Sequence, residues 1–229
     1  MNKYRRYQEE VLACSQKLSA NGYFGPASGT GGNVSVLVEG EETIAITPSG
    51  IVYSQLTPED ICVVRFDGSM VAGEHSPSIE TRMHLAVYRN RPDVNAVIHT
   101  HQPYASVFAL INRPIPALFD EVVLKIGPVV EVIPYAISGS SELEENVASR
   151  LENRCNCYII QNHGAIALGT SLEAAFNHAA LLEKVAQAYY RALATGQEIT
   201  TLPDPAIYIM TEIMKSEQQK EIERKEGRQ

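Results

Sequence analysis

Cysteine, basic residues and long apolar runs are all scarce in this chain, and each scarcity removes a class of function. Its 229 residues include four cysteines. Cys14, Cys62, Cys155 and Cys157 are too few and too scattered for a disulfide framework, so reduced thiols in a cytoplasmic protein are expected. Cys155 and Cys157, two apart in a β-like run, share a face, but no second cysteine pair completes a metal site with them. Lys and Arg number 19 against 27 Asp and Glu, a formal net charge of −8, which argues against nucleic acid as the main partner. The cleanest apolar stretch, Ala105–Ile111, falls far short of the ~20 residues that cross a bilayer. Glu9, Glu10, Gln16 and Lys17 interrupt the N-terminal segment where a secretory signal needs an apolar core. A membrane role is therefore not expected, and no repeat or low-complexity block precedes the charged C-terminal residues.

What is present is a globular composition, 45% hydrophobic, with strand and helix patterns interleaved. Val11, Leu12, Cys14 and Leu18 fall at helical spacing in a first helix to about Ala20, stopped by Asn21-Gly22. A glycine-rich turn, Ala27 to Asn33, leads into a strand at Val34–Val38, followed by strands at Thr43–Thr47 and Ile61–Phe66. Ser78 is placed to N-cap a helix carrying Ile79, Met83, Leu85, Ala86 and Val87. Asp93–Thr100 reads as a strand, Pro103 opens a short helix through Ile111, and Val129–Ile133 reads as another strand. Ser141 with Glu144 forms a capping-box pattern for a helix to about Leu151. Short strands at Tyr158–Gln161 and Ala165–Leu168 precede a long helix, Ser171–Ala194. The charged residues Ser216–Gln229 follow a loop rich in proline and threonine, and their alternating signs read as a solvated face. No linker interrupts the pattern, so one α/β domain over 1–229 is expected, with 204–229 as a helical tail.

Three of the six histidines carry the chemical signal. His99 and His101 end an apolar strand, and the two-residue repeat of a strand puts them on one face ~6.5 Å apart. His163 sits in the turn after Tyr158–Gln161, where a third ligand can reach the same point. Three histidines with an open position describe a catalytic metal site better than a structural one. The plain alternative is that His-x-His is common and that His163 caps a turn. Glu80, near a helix start where the dipole favours a carboxylate, is a candidate acid–base group or else a satisfier of backbone N–H groups. His84 shares its helical face and is expected to be packed or hydrogen-bonded. His75 and His178 show no partner pattern and are expected at the surface. Gly31-Gly32-Asn33, Ser49-Gly50 and Ser76-Pro-Ser78 offer small residues whose amides or hydroxyls can nest an anion. They match neither the P-loop nor the dinucleotide fingerprint.

In this order, Ser28-Gly-Thr-Gly-Gly-Asn-Val-Ser35, Thr47-Pro-Ser-Gly50, Ser78-Ile-Glu80-x-x-x-His84-Leu-Ala-x-Tyr88, His99-Thr-His101, Pro134-Tyr-Ala136 and Asn162-His-Gly164 resemble the class II aldolase/adducin family. Its L-fuculose-1-phosphate aldolase branch is the most similar. The resemblance implies an α/β/α layered domain with a central, mainly antiparallel sheet flanked by helices, and a homotetramer with active sites at subunit interfaces. It implies Zn2+ on His99, His101 and His163, Glu80 as the catalytic acid/base, and a sugar phosphate held by Gly32, Asn33, Ser49, Gly50 and Ser78. The implied reaction is retro-aldol cleavage of a small ketose 1-phosphate to dihydroxyacetone phosphate and an aldehyde.

Two positions depart from the branch. Ile79 stands where fuculose-phosphate aldolases tend to carry a second serine, removing one phosphate-binding hydroxyl. Asp120, in the loop Ala117–Glu121, stands where they have a catalytic tyrosine, which leaves the tail's Tyr208 as a replacement proton donor. Alternatives on the same scaffold are a pentulose-phosphate epimerase, a sugar-phosphate dehydratase and a hydroxy-acid decarboxylase, the last fitting the weakened phosphate nest. The alternative of another class is a non-catalytic adducin-head-like interaction module, but such heads lack the metal histidines.

Overall fold

Eight short strands hydrogen-bond into one sheet because most of them are apolar on both faces, and helices cover both sides. The computed structural model describes residues 3–25 and 30–227; positions 27–29 of the expected glycine-rich turn and the last two residues of the tail lie outside them. The strands are β1 (Asn33–Leu37), β2 (Thr43–Ile46), β3 (Cys62–Arg65), β4 (Met70–Ala72), β5 (Ala96–Thr100), β8 (Val132–Ile133), β9 (Cys157–Ile160) and β10 (Gly164–Gly169). Their order is β4-β3-β2-β1-β5-β10-β9-β8. Every neighbouring pair is antiparallel except β8 with β9, which is parallel. A separate ribbon joins β6 (Ile115–Pro116) to β7 (Val129–Val130).

The two cores explain why β5 reads as a nearly continuous apolar run. On one face, α2 (Thr81–Asn90) and α5 (Ser141–Ala148) pack Met83, Leu85, Val87, Leu143 and Val147 against Ile44, Ile46, Val97 and Ile166. On the other, α1 (Arg5–Ala20), α3 (Pro103–Ile111) and the long α6 (Leu172–Ala194) cover the sheet. All five β5 residues are buried. This is the expected mixed α/β fold, a central mainly antiparallel sheet between helical layers.

Several local expectations change. Helix α2 starts at Thr81, with Glu80 rather than Ser78 as its N-cap residue. Ser78 instead accepts from the Glu80 amide through Oγ, and the Thr81 hydroxyl donates to its carbonyl. The cap of α5 is Ser140, whose Oγ accepts from Leu143 N, so the expected capping box at Ser141 shifts by one residue. The run Val129–Ile133 changes partner at Glu131, whose carbonyl accepts from Ile159. Its first half joins the ribbon and its second half the main sheet. Asp120 is not in a loop; it opens α4 (Asp120–Lys125). The tail is α7 (Asp204–Glu226), which begins well before the charged residues and buries Met210, Met214 and Gln218 at four-residue spacing. One face of it is therefore packed, against α4, rather than solvated all round.

Candidate active site

β5, flanked by β1 and β10, carries the centre of the site. Asn33 of β1 and Ile166 of β10 both pair with His99. His101 follows the strand end, its amide held by the Tyr23 carbonyl at 2.8 Å. His163 arrives from the β9–β10 turn, which Asn162 makes possible by adopting a left-handed conformation, φ 53°. The donor nitrogens of His99, His101 and His163 lie within 4.8 Å of one another.

Glycine lets these groups close on each other. At Gly32, φ is 71°, and a Cβ would lie 2.3 Å from the Phe24 ring and 2.7 Å from the His99 carbonyl. Tyr53 donates to the Gly32 carbonyl at 2.6 Å and pins the turn from below.

The donor set fits a divalent cation. His99 Nδ1 donates to the Ala165 carbonyl at 3.0 Å, which leaves Nε2 bare, and this Nε2 lies 3.0 Å from His101 Nε2. Burial holds His99 neutral, its pKa lowered to about 3 against a partial counter-pull from Glu80, and burial lowers His101 as well. Neutral imidazoles are the form that ligates metal. Glu80 points into the same space, with Oε2 3.3 Å from His99 Nε2 and Oε1 3.0 Å from His163 Nε2. Burial works to raise its pKa, but His99, His163 and the Asn33 hydrogen bond outweigh burial and hold it below the usual carboxylate range. Glu80 is therefore ionised. Glu80 Oε1 and His163 Nδ1 are both buried without a hydrogen-bond partner, the condition a bound cation and its ligands would relieve.

Although Glu80 holds the N-cap position of α2, its side chain makes no capping hydrogen bond. Asn33 Nδ2 donates to Glu80 Oε2 at 2.7 Å instead. His84 is fully buried and hydrogen-bonded, as its helical position suggested. His178 departs from the expected surface position; it is half-buried, and Nδ1 donates to the Leu168 carbonyl at 2.7 Å. His75, also half-buried, has a partner in Asp60, 2.9 Å away.

The anion-nest residues gather beside this centre. Thr47–Ser49 pairs with Ser76–Ser78, Ser49 N donating to Ser76 O and Ser78 N to Thr47 O. Thr47 also exchanges hydrogen bonds with Val34, next to Asn33. The amides of Ser49 and Ser78 are thus engaged within the fold. Ser138, which sequence reasoning did not single out, lies with Oγ 3.4 Å from His163 Nε2. No hydrogen bond joins Asp120 or Tyr208 to the histidines among the described residues, and Tyr208 is 68% exposed.

Known proteins share this architecture. The family model for the Class II Aldolase and Adducin N-terminal domain matches residues 9–190. A 5-deoxy-D-ribulose 1-phosphate aldolase of Bacillus thuringiensis is 35% identical, covering 84% of this chain and 88% of its own. The L-fuculose phosphate aldolase of Escherichia coli K12 is 38% identical, covering 82% of this chain and 86% of its own. A solved L-fuculose 1-phosphate aldolase superposes with a TM-score of 0.84 at 35% identity, over 92% of this chain and 96% of that one. With the three histidines in place and these likenesses spanning nearly its whole length, the chain belongs to the class II aldolase and adducin family, as an aldolase of that family.

Proposed function

We propose that this protein is a zinc-dependent aldolase that cleaves a small ketose 1-phosphate, such as L-fuculose 1-phosphate, to dihydroxyacetone phosphate and an aldehyde. The observation that carries the reading is the convergence of three histidines and one carboxylate beside the Ser49, Gly50 and Ser78 turns. His99, His101 and His163 would hold the ion. When bound, the cation supplies Lewis-acid stabilisation of the oxyanion that develops as the carbon–carbon bond breaks.

The remaining work falls to the chain's own groups. Glu80 exchanges a proton with the substrate carbon next to the carbonyl, its Oε2 steadied by Asn33 and its Oε1 left open. The Ser49 and Ser78 hydroxyls, with Gly32, Asn33 and Gly50, hold the phosphate. Ile79, 64% exposed, follows Ser78 directly, and Ile137, 69% exposed, precedes Ser138 beside His163. These apolar side chains suit a sugar ending in a methyl group, a feature common to the L-fuculose and 5-deoxyribulose phosphates named for the relatives. Exposed Leu110 and Ile111 of α3 and Tyr208, Ile209 and Ile213 of α7 support burial between copies in a cytoplasmic homotetramer.

An aldol assay with dihydroxyacetone phosphate against acetaldehyde, L-lactaldehyde and glyceraldehyde, with and without chelator, tests the reading. Chelator-sensitive condensation favouring the methyl-ended aldehydes is expected. No condensation with any aldehyde sinks it, and carbon dioxide release from hydroxy acids would turn the Ile79 departure into support for a decarboxylase. Glu80→Gln should lower turnover at least about 100-fold with zinc still bound. Light scattering should return the mass of a tetramer.

A further inference from the structure

We infer that His84 is a positioning residue for this reaction, acting on Glu80 through the side-chain amide of Asn33. The inference rests on the aldolase reading, with Glu80 as proton carrier. Its basis is a line of five buried side chains that the reaction itself does not use in full. Strand β1 presents Asn33 and Ser35, two residues apart and so on one face. Glu80, His84 and Tyr88, four apart, form one stripe down α2. Where the stripe lies on the strand, the five interlock: Glu80 Oε2 to Asn33 Nδ2 at 2.7 Å, Asn33 Oδ1 to His84 Nε2 at 2.5 Å, His84 Nδ1 to Ser35 Oγ at 2.7 Å, and Ser35 Oγ to Tyr88 Oη at 2.7 Å. Each residue is at least nine-tenths buried.

The side-chain amide of Asn33 sets the direction of every bond. Its Nδ2 donates to Glu80 Oε2, so its NH2 is turned towards Glu80. Its carbonyl oxygen then faces His84 and requires a donor, so His84 carries its proton on Nε2. A buried neutral imidazole has only one N–H, so Nδ1 accepts from the Ser35 hydroxyl, and Ser35 in turn accepts from Tyr88. Donor meets acceptor at each of the four contacts along the line. Turning the Asn33 amide over would set Oδ1 against the carboxylate and NH2 against the His84 N–H, two repulsive contacts at once. His84 therefore locks the amide, and the amide locks Glu80 so that Oε1, the oxygen without a hydrogen-bond partner, faces His163.

Two measurements test this. Histidine 15N NMR of the full chain at pH 7 should show His84 with Nε2 protonated and Nδ1 a bare acceptor. An Nδ1–H tautomer or an imidazolium would overturn the proposal without reference to activity. In kinetics, His84→Leu should lower kcat about 10–100-fold, the usual effect of losing such a supporting hydrogen bond. KM and zinc content should stay unchanged, and exchange of solvent deuterium into dihydroxyacetone phosphate should slow in parallel. His84→Gln, which keeps an N–H near the Nε2 position, should restore most of both rates. Wild-type kcat in the Leu variant, or no recovery in a folded Gln variant, overturns the inference. Should His84→Leu fail to fold, Ser35→Ala removes the Nδ1 donor with far less disturbance. It should mix the His84 tautomers and lower the exchange rate, and an unchanged tautomer and rate would count against the proposal. A wild-type protein that neither exchanges nor condenses refutes the aldolase reading instead, while the NMR still decides the direction of the line.

Discussion

A Cβ added at Gly164 would lie 2.3 Å from the Thr100 carbonyl oxygen and 2.7 Å from the His101 ring. Backbone cannot yield to that contact, so Gly164→Ala must push the β9–β10 turn, and His163 with it, away from β5. We expect a stability loss of about 1–3 kcal/mol and fewer than one zinc per chain, read by urea unfolding and metal analysis; full zinc occupancy would show that the turn can adjust. At this scale the sequence was most informative. The two-residue period of a strand joins His99 to His101, and the chain turn brings His163 to them; both follow from local geometry. His84 was legible only as a packed histidine, because its role depends on how α2 lies across β1, which no local pattern encodes. Ser138 was missed for the same reason: only the tertiary fold carries it to His163.

Elements with a clear apolar period, α1, α3 and α6, emerged close to their expected limits. The misplaced boundaries lie where side chains compete with helix geometry. Ser78 is drawn into pairing with Thr47, so α2 starts two residues later and frees Glu80 to face the histidines. Between α2 and β5, Arg91 and Asp93 form a two-pronged pair, Nε to Oδ1 at 2.9 Å and Nη2 to Oδ2 at 2.8 Å, both residues 2% exposed. Arg91 also reaches the Cys155 carbonyl at 2.6 Å and Asn156 Oδ1 at 2.9 Å, tying the helix to the start of β9. Asn156 Oδ1 accepts in addition from Gln218 of α7. Removing one partner strands a buried charge, so Asp93→Ala should cost about 3–5 kcal/mol. Urea midpoints measure this, and a loss below 1 kcal/mol would mean that Asn156 and the Cys155 carbonyl suffice for Arg91.

For the whole molecule, buried neutral histidines set the response to acid. Burial, partly opposed by Glu80, lowers the pKa of His84 to about 4 and that of His99 to about 3, from 6.5. Below pH 6.5 the unfolded chain takes up protons that the folded chain refuses. Stability is thus intact above pH 6.5 and falls by about 1.4 kcal/mol per pH unit for each of the two as pH drops towards 4.5. Urea titrations of metal-free protein at pH 7, 6 and 5 should show this slope; half of it would mean that one of the two is charged in the fold, and a flat response that both are. The net charge of −8 opposes a sugar phosphate over the whole surface, so on the proposed reading any attraction has to be local, from a bound cation and the turn hydroxyls. The arrangement in the sheet also separates two timescales. His99 lies on a strand paired on both sides and covered on both faces, where amide hydrogens exchange only on extensive unfolding. Ser49 and Gly50 sit on an exposed turn that can open and close within nanoseconds to microseconds. Such a division allows the rim to be rewritten for a different sugar while the reacting centre stays still, and exchange of the exposed Ser49 and Gly50 for other residues should shift substrate preference long before it disturbs the three histidines.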